Sequence, residues 1–230
     1  MANKLYEETT IQAIADAIRA KNGETTTYKP YEMPAAIEAI GSGTVDLSMV
    51  STFKYSFPNE ITNFEANIPN VTSLKSAFSD KNANHNLKNI TLRVTNKLKA
   101  VTLMLYHTRV TSVEFIGDMS AVTDYDSAFC GDDYQLKSIK GLDFTSTTKV
   151  RSMFTGKYVL ETITIVPNTL KLSITIPSPA LSDESIQNII DGLADMTDGT
   201  AQTLTLHSTV KEKLTEEQIA SATAKNWTIA

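Results

Sequence analysis

The sequence predicts an α+β chain whose middle winds into a solenoid of short parallel strands. An N-terminal helix pair precedes that region and a C-terminal α/β cap closes it. Three observations predict this. Short β-prone runs recur at nearly constant spacing between residues 50 and 177. One-sided helical patterns are confined to the two ends. Composition fits a packed chain: of 230 residues, 41% are hydrophobic and 20% charged, and Thr, which favours half-wetted strands, occurs 31 times.

The N-terminal segment comes first. Ile11, Ile14, Ala15 and Ile18 follow the i, i+3, i+4, i+7 spacing of a helix with one apolar face. Thr9 or Thr10 would cap it and Gly23 would stop it. Met33, Ile37 and Ile40 outline a second helix, with Pro34 in its first turn and Gly41-Ser42-Gly43 as a flexible joint. So small a pair buries little alone and needs a partner surface. The expected division is 1–43, 44–177 and 178–230.

The middle carries two periodic columns. Ile90, Val113, Ile139 and Ile163 each open a short strand, at steps of 23, 26 and 24 residues. In phase with them, Val71-Leu74-Phe78, Leu98-Val101-Leu105, Val122-Tyr125-Phe129 and Thr147-Val150-Phe154 step by 27, 24 and 25. Periods of this length belong to leucine-rich-repeat solenoids, in which neighbouring coils cover apolar columns that no coil can enclose by itself. The strands Thr91-Leu92, Glu114-Phe115, Leu142-Phe144 and Thr164-Ile165 would lie parallel. An irregular β-sandwich with accidental spacing is the competing fold.

The last fifty residues read as the cap that open sheet edges require. Ser182 precedes a helix carrying Ile186, Ile189, Ile190, Leu193 and Met196, closed by Thr197-Asp198-Gly199. Leu204-Thr205-Leu206 is a strand. Thr215 and Gln218 form a capping box for a helix through Ile219 and Ala222. Trp227, the one tryptophan, belongs to a closing strand and is expected to seal the core.

Val71-Thr72-Ser73-Leu74 with Ala77-Phe78, Val122-Thr123 with Ala128-Phe129-Cys130-Gly131, and Val150-Arg151-Ser152-Met153-Phe154-Thr155-Gly156 resemble the units of BspA-like leucine-rich repeats. The unit at 98–105 has Leu105 where that family usually has Phe, so a distorted coil is expected there. The stretch from Ile11 to Gly23 with Glu32-Met33-Pro34-Ala35-Ala36-Ile37 resembles the opening of tail-associated proteins from phages and prophages of Gram-positive bacteria. Leu193-Ala194-Asp195-Met196, Thr203-Leu204-Thr205-Leu206 and Lys213 to Ile219 resemble their closing segment. The resemblance implies a virion structural protein of the tail tip, baseplate or fibre, assembled in the host cytoplasm. It further implies host recognition, with a bacterial cell-surface BspA-like adhesin as the alternative.

The reactive side chains form no catalytic constellation in the sequence, so no enzyme, cofactor or metal is expected. His85, His107 and His207 lack metal-ligand spacing. Cys130 follows a column position and reads as a small buried thiol. Asp132 and Asp133 flank a turn at Gly131 and read as solvated; a polysaccharide-degrading activity would need more than this pair. With Lys plus Arg 21 against Asp plus Glu 26, the net charge of -5 argues against nucleic acid as a partner. No long apolar run predicts a membrane span and no secretory signal is expected.

What remains is surface. His85, Thr108, Tyr134 and Tyr158 stand five residues before the strand-opening positions and form the candidate binding column. Its tyrosines would grip a host glycan or protein, or merely cover the coil edge. Other virion tail proteins are expected at the N-terminal helices, and a homo-oligomer is possible.

Overall fold

The structure, a computed structural model, describes residues 8–22, 45–46, 61–79, 86–131 and 135–230. Helix and strand are mixed, and the principal sheet is parallel throughout. Among the described residues it holds β1 (Val45–Asp46), β2 (Asn63–Asn67), β3 (Asn89–Val94), β4 (Ser112–Gly117), β5 (Ser138–Leu142) and β6 (Thr162–Ile165), in sequence order. Helix α1 (Glu8–Asn22) lies against β1 and buries Ala15 and Ile18. Thr9 and Thr10 fall inside α1, so neither caps it. The second N-terminal helix and the Gly-Ser-Gly joint lie outside the described residues.

The strand-opening residues share one register. Phe64 aligns with Ile90, Ile90 with Val113, Val113 with Ile139, and Ile139 with Ile163. The next inward position repeats this with Ala66, Leu92 and Phe115. Alternation at period two sends these side chains to the core and their neighbours outward, so each strand is buried on one face only.

A second line of pairing runs through the returning segments. Ser73, Ala100, Asp124 and Lys149 form successive parallel bridges. Around them Leu74 donates to Ala100 at 2.8 Å, Val101 to Asp124 at 3.0 Å and Tyr125 to Lys149 at 2.9 Å. The flanking column members Val71, Leu98 and Val122 are buried, as are Phe78, Leu105, Phe129 and Phe154. Phe129 and Phe154 stack with ring centroids 6.0 Å apart. Thr147, the polar member, is buried because its hydroxyl donates to the Val122 carbonyl at 3.0 Å. The segment 98–105 keeps the ladder through Ala100, contrary to the distortion expected from Leu105, and both Met104 and Leu105 are buried.

Two boundaries differ from the sequence reading. Strand β5 ends at Leu142 instead of running from Leu142 to Phe144. Gly141 adopts φ +80°, its amide goes to the Thr164 hydroxyl, and the register shifts so that Leu142 meets Ile165. By Phe144 the amide already bonds the Thr169 hydroxyl.

The second difference is at α2 (Asp183–Gly192), capped as expected by Ser182, which stops before Leu193 and Met196. Its last turn is pulled into pairing with residues 168–170. The Gly192 carbonyl accepts from Thr169 and Leu170, and Ala194 donates back to Leu170 at 2.9 Å. Those bonds satisfy the terminal carbonyls more fully than another exposed turn would.

A smaller parallel sheet completes the chain: β7 (Ile174–Ile176), β8 (Gln202–Leu206) and β9 (Trp227–Ile229). Strand β7, which precedes residue 178, pairs with β8 beyond it. The short α3 (Ser208–Lys211) and α4 (Glu216–Ala224) join β8 to β9, and α4 carries the expected Thr215–Gln218 capping box. Trp227 is 3% exposed and donates its indole N–H to Ala194 at 2.9 Å. No helix among the described residues is long and apolar enough to cross a membrane.

Candidate functional site

Because the strands are in register, outward residues form lanes across the sheet. One lane runs Asn63, Asn89, Ser112, Ser138, Thr162. Here the Asn89 amide donates to Asn63 at 2.6 Å, and the Ser112 hydroxyl donates to Asn89 at 2.8 Å. The neighbouring lane runs Glu65, Thr91, Glu114, Lys140. Arg93 reaches diagonally to Glu65 at 2.7 Å. These are short or paired polar groups on a half-wetted face, which offers hydrogen bonds without a deep cavity.

The returning segments carry a second lane. Lys149 pairs with Asp124 at 3.2 Å and Arg151 with Asp126 at 3.0 Å, both across adjacent returning segments. Partial burial pushes the Asp124 carboxyl up, but the Asp126 amide, the Lys149 ammonium and the Thr102 hydroxyl together hold it below the ordinary range.

The candidate column is only partly within the described residues. His85 and Tyr134 lie outside them. Thr108 is half-buried and its hydroxyl donates to Leu105 at 3.2 Å, so part of its polar capacity serves its own turn. Tyr158 is 47% exposed and lines a groove of about 440 Å³ between the segment 150–156 and β7. Thr108 and Tyr158 precede β4 and β6, which β5 separates in the sheet. Sequence reasoning missed Tyr106, which is 37% exposed and packs edge-on against His107 with centroids 3.9 Å apart.

The remaining reactive side chains have local explanations. Cys130 is buried, and burial pushes its thiol up despite a hydrogen bond with Ser127. His207 is the N-cap of α3, its Nδ1 accepting from the Thr209 amide at 3.3 Å. Lys157 is buried and its ammonium donates to the Gly131 carbonyl at 3.0 Å, a role with no signal in the sequence. Asp132 and Asp133 lie outside the described residues. Phenol burial pushes Tyr125 far above its ordinary value; its hydroxyl donates to the Asp143 carbonyl at 2.9 Å and so is structural.

One backbone feature also escaped the sequence. Ser76, Leu103, Ser127 and Ser152 all hold φ between 52° and 55°, each five residues after the first column member. Only the recurrence of serine at three of these four positions hinted at it. Set against family models, curated proteins and solved structures, the chain matches none of them at a significant level.

Proposed function

We propose that the chain is a BspA-like leucine-rich-repeat solenoid, serving as a tail-associated structural protein of a phage or prophage that displays its repeats for host-cell recognition. The observation that carries the reading is the common register of Ile90, Val113, Ile139 and Ile163. That register turns unrelated surface residues into straight polar lanes, a geometry suited to contact and not to chemistry. Segment 1–43 docks on the particle, and the repeat face meets a glycan or protein of the cell surface. Several copies on one tail would convert weak contacts into firm adsorption.

The test is competition. Purified chain should coat host cells and reduce particle adsorption, while Tyr134→Ala with Tyr158→Ala should lose both effects at unchanged melting temperature. Normal competition by the double variant would remove the tyrosines from the site, and absence of cell binding by the parent chain would overturn the recognition role. Recovery of the chain from the envelope of phage-free cells would favour the adhesin reading instead.

A further inference from the structure

The returning segments donate to one another in a fixed pattern. The amides of Leu74, Ser76 and Phe78 bond the carbonyls of Ala100, Thr102 and Met104, at 2.8, 3.0 and 3.1 Å. Those of Val101, Leu103 and Leu105 bond Asp124, Asp126 and Ala128, and those of Tyr125, Ser127 and Phe129 bond Lys149, Arg151 and Met153. The corresponding amides of the last segment belong to Val150, Ser152 and Phe154. They have no acceptor among the described residues. The left-handed turn of the earlier segments recurs here, with φ 55° at Ser152 against 54° at Ser127.

The chain that would have supplied the next carbonyls turns aside. Strand β7 pairs with β8, and the Ser173 amide goes to Gln202 at 2.8 Å. The wedge left between 150–156 and β7 is the groove beside Tyr158. An unpaired row of donors at two-residue spacing is a template for an added extended strand.

The charges on this edge define what fits. Lys149 and Arg151 end the lane, each held on one side only, by Asp124 and Asp126. A carboxylate on the far side in the same register would continue the alternation of sign.

We propose that this edge docks an extended acidic segment of a partner polypeptide, added parallel to residues 149–154 as one more layer. Its carbonyls at alternate residues accept from Val150, Ser152 and Phe154, and its acidic side chains face Lys149 and Arg151. The site rests on the backbone pattern and the two cations of this edge, and holds whatever the outer sheet recognises.

The probe is the end-blocked peptide Val-Thr-Asp-Tyr-Asp-Ser-Ala-Phe, the sequence of residues 122–129, whose alternate carbonyls accept from Val101, Leu103 and Leu105 two layers earlier. In the full chain, amide exchange at Val150, Ser152 and Phe154 should be fast, while that at Tyr125, Ser127 and Phe129 is slow. Saturating peptide should slow the first set by about tenfold or more. A peptide with both Asp replaced by Lys should not, and Thr175→Trp, which fills the groove from the exposed face of β7, should remove the effect.

Slow exchange in the isolated chain would mean that its own residues or a second copy already cover the edge, and would overturn the proposal. So would no protection by peptide up to about 1 mM, equal protection by the Lys peptide, or protection by soluble host polysaccharide in place of peptide.

Discussion

The Ile163 amide donates to the Ser185 hydroxyl at 3.0 Å, so a side chain of α2 stands where a seventh strand would have offered a carbonyl. Ser185 is itself buried and also accepts from the Ser182 hydroxyl at 3.1 Å. The edge of β6 is closed by a helix and cannot recruit another strand. Replacing Ser185 with Ala leaves the Ile163 N–H buried without an acceptor. The expected loss is about 1–3 kcal/mol, read as a lower urea midpoint at unchanged slope.

Gly141→Ala tests the bulge. A Cβ there would sit 2.1 Å from the Phe115 carbonyl oxygen, in backbone at φ +80°. Left-handed backbone alone costs an L-residue about 1–2 kcal/mol, and the clash is with backbone that cannot rotate away. A loss above about 3 kcal/mol is expected, while wild-type stability would show that the bulge relocates freely.

The left-handed turns give opposite expectations for two substitutions at one site. At Ser76, with φ 54°, glycine relieves strain but adds freedom to the unfolded chain. Ser76→Gly should therefore fall within about 1 kcal/mol of the parent. Ser76→Val places a β-branched residue where such residues are genuine outliers and should cost more than about 1 kcal/mol. Thermal denaturation of both variants, ranked against the parent, decides it.

Acid should weaken the chain through specific carboxyls. Asp118, held low by Ser120, and Asp124, held low against its own burial, have folded pKa values below their unfolded ones. Their stabilisation is complete above the unfolded value of about 3.9. It disappears as pH falls through the lower folded values. Asp124→Asn should flatten the dependence of the urea midpoint between pH 5 and pH 2, and carboxyl resonances of Asp118 and Asp124 should titrate below the ordinary range.

Sequence disclosed the parts of this fold that burial dictates. Ile90, Val113 and Ile139 had to be apolar at a constant interval, and Leu74, Val101 and Tyr125 likewise, so both lines of pairing were visible in advance. The Thr215–Gln218 box was visible because capping is local. What tertiary pairing decides was hidden. Helix α2 stops at Gly192 because residues 168–170 compete for its carbonyls, and β5 stops at Leu142 because Thr164 captures the Gly141 amide. The groove beside Tyr158 was hidden too, since it arises from β7 leaving for β8, a choice with no local signature. Of the four proposed column residues, two fall within the described chain, and only Tyr158 presents a large exposed face.

The equivalence of Ser112 and Ser138 in the register has a genetic consequence. Excising residues 112–137 would splice Thr111 directly onto Ser138, the residue that Ser112 faces across the sheet. The product would be one strand spacing shorter, about 4.8 Å, with both termini untouched. A change of length in whole strand units, with neither end redesigned, is the outcome this register would permit.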